Sequence, residues 1–92
     1  MNKATTVEWE WKMQSGRKWR GTFKAFVPVP YVEKDASGAN TAEFDQFINA
    51  VGAYLVRIVR FDSLRRGKMI DPSKVEIVLS KIEPYGGDVV AG

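Results

Sequence analysis

Between residues 7 and 14 apolar and polar side chains alternate without a break, Val7, Trp9, Trp11 and Met13 against Glu8, Glu10, Lys12 and Gln14. A period of two belongs to a strand with one buried face and one wet face, so the first element is a strand. Ser15-Gly16-Arg17-Lys18 follows as a tight turn, with Gly16 free to take a positive φ. Alternation then resumes, Trp19, Gly21, Phe23, Ala25 and Val27 against Arg20, Thr22 and Lys24, and predicts the second strand of a β-hairpin. Pro28 and Pro30 end it, because proline cannot donate to a ladder and restricts the residue before it.

After a loop rich in turn formers at 33–40, the period changes. Asn40 with Glu43 three residues later reads as a capping box, and Phe44, Phe47, Ile48 and Val51 fall at i, i+3, i+4 and i+7. A helix therefore begins near Thr41. Leu55, Ile58 and Val59 would continue its stripe, but Gly52 is a natural C-terminal stop and residues 54–61 are rich in strand formers. The reading favoured here is a helix of about three turns followed by a strand, then a long loop at 62–74 and a last strand at 75–82. The expected class is α+β, an antiparallel sheet with one helix packed on a face, in the order β-β-α-β-β. A chain of 92 residues has room for one core, so 1–92 is expected to form one domain with a loose tail over 86–92.

Charge sharpens the picture through its distribution. The net charge is only +3, yet residues 12–24 carry Lys12, Arg17, Lys18, Arg20 and Lys24 with no acid. Residues 57–68 carry Arg57, Arg60, Arg65, Arg66 and Lys68 against Asp62 alone, and the remainder of the chain is acidic. Segregation of this kind points to a directed basic surface. There is no stretch of 18 apolar residues and no apolar run at the N-terminus, so a cytoplasmic location is expected.

The chain has no histidine and no cysteine, which removes the commonest neutral-pH base, thiolate and imidazole zinc sites, and Cys–His or Ser–His–Asp catalysis. Glu8 with Glu10 on one strand face and Glu43 with Asp45 at a helix N-terminus are the acid pairs, both in places where carboxylates are ordinary. No phosphate-cradling glycine motif occurs. An enzyme is not expected, nor a cofactor or a bound metal, and binding is the function left.

Bases alternate with aromatics over residues 17–26, a pairing used by sheets that hold single-stranded nucleic acid. Arg20-Gly21-Thr22-Phe23 departs from the RNP1 pattern, and strict alternation puts Trp19 and Phe23 on the face opposite Arg20 and Lys24. The aromatics, Trp9, Trp11 and Trp19 included, are thus expected in the core, with Arg20, Thr22 and Lys24 aligned outside. Tyr31 and Tyr85, in loops beside proline or glycine, are the expected exposed contact residues.

With its short length, hairpin–helix–hairpin plan, lack of catalytic residues and basic stretch at 17–24, the chain resembles the small phage-encoded anti-CRISPR proteins. The resemblance implies a stoichiometric inhibitor, expected as a monomer, docking on a host RNA–protein complex and touching its protein subunits and guide RNA so as to block target DNA binding. Arg17, Lys18, Arg20, Lys24, Arg65, Arg66 and Lys68 are the candidate contact residues, arginines ahead of lysines because a planar guanidinium grips phosphate in a bidentate way. A stand-alone single-stranded nucleic-acid-binding protein and a virion or assembly protein are the alternatives.

Overall fold

The computed structural model describes residues 3–34, 36–38 and 40–86. Three strands, β1 (Thr5–Met13), β2 (Arg20–Val27) and β3 (Val75–Pro84), form an antiparallel sheet in the order β2-β1-β3, and one helix, α1 (Ala42–Arg65), lies between β2 and β3 in the chain. The fold is α+β, as the periodicities predict. The part of the tail expected to be loose beyond Gly86 lies outside the described residues.

One element departs from expectation. Residues 54–61 are helix, not strand, and α1 runs unbroken for 24 residues, about 36 Å at 1.5 Å per residue. The order is therefore β-β-α-β. The reason is burial: Phe47, Val51, Leu55 and Val59 repeat every four residues and are all buried, so the stripe that begins the helix also carries it past Gly52. Packing against the sheet outweighs the strand propensity of Val56, Ile58 and Val59, which amounts to tenths of a kcal/mol per residue, roughly. The true stop is Gly67, whose φ of +76° lets the Gly67 N–H donate to Leu64 O (3.0 Å) and the Lys68 N–H to Ser63 O (2.8 Å). This is the paired bonding of a Schellman cap. At the other end the cap is Thr41 rather than Asn40, its Oγ1 accepting from the Phe44 N–H at 3.1 Å. Glu43 and Asp45 sit in the first turn, where the helix dipole favours acids.

The inner face of the sheet presents Val7 and Trp9 from β1, Val27 from β2, and the half-buried Ile77, Leu79 and Ile82 from β3, all packed with the α1 stripe. Ile77, Leu79 and Ile82 share one face despite their mixed spacing because the β1–β3 register shifts between Glu8 and Trp9, which pair with Lys81 and Leu79. Ser80 is the extra residue of this bulge, and its hydroxyl donates to Glu8 O at 3.1 Å. On the outer face Lys12 pairs with Glu76 at 3.4 Å across the same two strands. The loop after β2 is tied to the start of β1, Thr5 Oγ1 donating to Val29 O (2.7 Å) and the Tyr31 N–H to Lys3 O (2.8 Å).

The two loop tyrosines are half-buried rather than exposed. Tyr31 packs edge-on against Phe47 and Tyr85 edge-on against Phe26. The tryptophans divide: Trp9 is buried, Trp11 half-buried, and Trp19 is 40% exposed at the hairpin end with the Lys12 ammonium 5.3 Å from its ring centre.

Candidate functional site

A second register shift builds the main surface feature. From Thr5↔Val27 to Trp9↔Phe23 the β1–β2 pairing is regular, but Trp11 then faces Arg20 where an unbroken ladder would place Gly21. A slip of one residue moves a side chain to the other face of a strand. Arg20, expected outside with Lys24, is thereby turned to the helix side, and its guanidinium lies 5.3 Å from the centre of the Trp11 ring. The contact is of the cation–π kind, which holds an arginine in place without consuming its hydrogen-bond donors.

On this side α1 approaches β3 most closely, and between its C-terminal half and β2 a cleft of about 830 Å³ opens. Trp9, Trp11 and Phe23 from the sheet and Ile58, Val59 and Phe61 from the helix give it apolar walls. Arg20 and Lys24 border it on the strand side and Arg65 and Arg66 on the helix side. Ile58, Phe61, Asp62 and Arg65 follow one another at helical spacing along the flank of the buried stripe, so the cleft's helical wall exists only because α1 continues through residues 54–65. Asp62 is the acid of the lining, and it pairs with Arg66 Nε at 3.4 Å.

Four of the seven candidate residues, Arg20, Lys24, Arg65 and Arg66, are thus brought together, though two basic segments contribute them from more than 40 positions apart. Arg17 and Lys18 stand exposed in the turn between β1 and β2, and Lys68 lies exposed just past the helix cap; none of the three lines the cleft. Arg65 is helical, not part of the long loop expected at 62–74.

The aromatics are where expectation and structure differ most. Phe23 is 43%, Phe26 51% and Phe61 59% exposed, and all three meet at this cleft. Three large aromatic side chains are thus left open around one cleft that Arg20, Lys24, Arg65 and Arg66 border. Phe23 has the period of a core residue, but the helix does not cover its end of the sheet. Phe61 was hidden by the strand reading of 54–61; its position three residues beyond Ile58 is the helical signal that places it.

At the bottom of the cleft Trp9 is 3% exposed, and its indole N–H is enclosed with no acceptor among the described residues. A buried donor left unmet costs roughly 1–3 kcal/mol. Among the described residues no group of three or more acids is placed to hold a metal ion, and no helix is long and apolar enough to cross a membrane. The chain matches no family model, no curated protein and no solved structure.

Proposed function

We propose that the chain is a non-enzymatic binding domain that docks on a host RNA–protein complex through the cleft between β2 and α1, and so acts as an inhibitor in the manner of the anti-CRISPR proteins it resembles. The observation that carries this reading is the convergence of Arg20, Lys24, Arg65 and Arg66 on a cleft walled by exposed aromatics. Cations in such a setting neutralise phosphates, and aromatic faces accept unstacked bases, whereas a duplex keeps its bases out of reach of so small a site. Phosphate contacts position without specifying, so selectivity falls to the apolar walls and to protein neighbours. Arg17, Lys18 and Lys68 extend the basic surface at its margins. Occupying such a surface on a guide-bearing complex would exclude the target strand.

The test is equilibrium binding of labelled single-stranded RNA and of duplex DNA over a salt series, for the native chain and for the double variant Arg20→Glu, Arg65→Glu. With four cations engaged, log affinity for the single strand should fall with log salt at a slope of about −3, since each neutralised phosphate contributes about −0.7. The variant, with two of the four cations replaced, should lose at least half of that slope while keeping its circular dichroism. Flat salt dependence with an unchanged variant refutes a phosphate-facing cleft.

A stand-alone single-stranded nucleic-acid-binding protein would use the same cations and aromatics. It binds the free strand as tightly as any assembly, whereas an inhibitor of the proposed kind binds the assembled complex far more tightly than its naked RNA.

A further inference from the structure

β2 is an edge strand, hydrogen-bonded on one side only, to β1. Lys24, Ala25 and Phe26 are consecutive in it, and all three line the cleft. Side chains of consecutive strand residues point to opposite faces, so three in a row share a cleft only where the strand's outer edge opens onto it. Along that edge alternate residues turn their N–H and C=O groups away from β1. Among the described residues, the hydrogen bond that reaches a β2 backbone group from outside the sheet falls at the strand's end, Val29 N–H to Val27 O at 2.7 Å. The cleft therefore offers three things at once: a strand edge with free backbone groups, an apolar aromatic wall, and a basic rim.

We infer that this edge takes up an extended acidic segment of the partner's protein part as a fourth strand, seated between β2 and the C-terminal half of α1. The inference rests on the proposed reading only in placing the partner at this cleft. Backbone pairing supplies a ladder, and alternate side chains of the incoming strand fall to the two faces. Those on the helix side meet Arg20, Arg65 and Arg66, whose charge favours glutamate or aspartate, while those on the outer face run beside Lys24 and Phe26.

A second copy fits less well, and nucleic acid in the cleft leaves the strand edge itself unfilled. A second copy pairing β2 with β2 would bring Arg20 and Lys24 against the same charges, and charged residues on an edge are the usual device against such self-association. A nucleic-acid strand meets the cations and the aromatics but has no alternating amide and carbonyl groups for the free edge.

The experiment uses the full chain and three probes: a capped, dye-labelled octapeptide alternating glutamate with valine, about the length of β2; the same peptide N-methylated on alternate amides; and an oligouridine ten-mer. Affinities are read by fluorescence anisotropy, and the place of binding by backbone amide and tryptophan indole N–H shifts in nuclear magnetic resonance. The parent peptide should shift the β2 amides and the Trp9 and Trp11 indoles but spare Trp19, and slow hydrogen exchange along β2. N-methylation should weaken it at least tenfold, as should Arg65→Glu with Arg66→Glu, two exposed positions, in a variant whose circular dichroism matches that of the native chain. Equal binding of the N-methylated peptide, or parent binding that leaves the β2 amides unshifted, overturns strand addition. If oligouridine alone binds at the cleft, strand addition falls and the phosphate-facing reading stands; if the acidic peptide alone binds, the reverse holds; if neither binds, both fall.

Discussion

Gly52 stands in the middle of a 24-residue helix, although its residue type reads as a helix stop. Replacing it with alanine tests the helix directly, because the sign of the effect depends on which description is correct. Inside a helix glycine is about 0.8–1.0 kcal/mol less favourable than alanine, mainly through backbone entropy lost on folding. A methyl group built at Gly52 meets no atom within 4 Å, so no steric cost offsets that gain. Gly52→Ala should therefore stabilise by about 0.8 kcal/mol, raising Tm by roughly 5 °C in a domain of this size. Gly67→Ala is the contrast: nothing crowds its added methyl either, but its φ of +76° makes alanine strained, and about 1 kcal/mol should be lost. Thermal and urea unfolding followed by circular dichroism at the helix band measure both. If α1 ended at Gly52, the glycine would carry the left-handed cap and alanine would destabilise there. A fall in Tm for Gly52→Ala, matching that for Gly67→Ala, refutes the continuous helix and with it the helical wall of the cleft.

Further outcomes follow from the same geometry. Thr41→Ala should cost about 1 kcal/mol by orphaning the Phe44 N–H, while Asn40→Ala stays within about 0.5 kcal/mol, a difference urea unfolding resolves. Phe61→Ala should leave stability nearly unchanged and weaken partner binding, whereas Leu55→Ala, at a fully buried position, should cost about 3 kcal/mol, so paired unfolding and binding measurements separate wall from core. The Asp71 carboxylate accepts from the Ser73 hydroxyl (2.7 Å) and the Ser73 N–H (3.0 Å), which hold its pKa below 3.8. A depressed folded-state pKa means a stabilisation present above 3.8 and lost as pH falls through the lowered value. The Asp71 carboxyl should thus titrate below 3.8 by nuclear magnetic resonance, and Asp71→Ala should flatten the acid limb of stability against pH.

The α+β class, the β1–β2 hairpin, the start of the helix and most of its buried stripe are legible in the sequence, because each rests on local periodicity. Val7 and Trp9, or Phe47 and Val51, announce a buried face by spacing alone. The end of the helix was not legible, since Gly52 and the β-branched residues after it carry a local preference for ending that the burial of Leu55 and Val59 overrides. Nor was the site. The acid-free stretch at 12–24 and the arginines of 57–68 flagged a basic surface, but period-two reasoning placed Arg20 outside and Phe23 in the core. Arg20 reaches the cleft because a bulge shifts the β1–β2 register by one residue, and Phe23 stays open because α1 lies nearer β3. Both depend on how strands and helix meet across long sequence separations. Composition and spacing determined which residues are basic, aromatic and apolar, while the tertiary structure alone decided which of them share a wall.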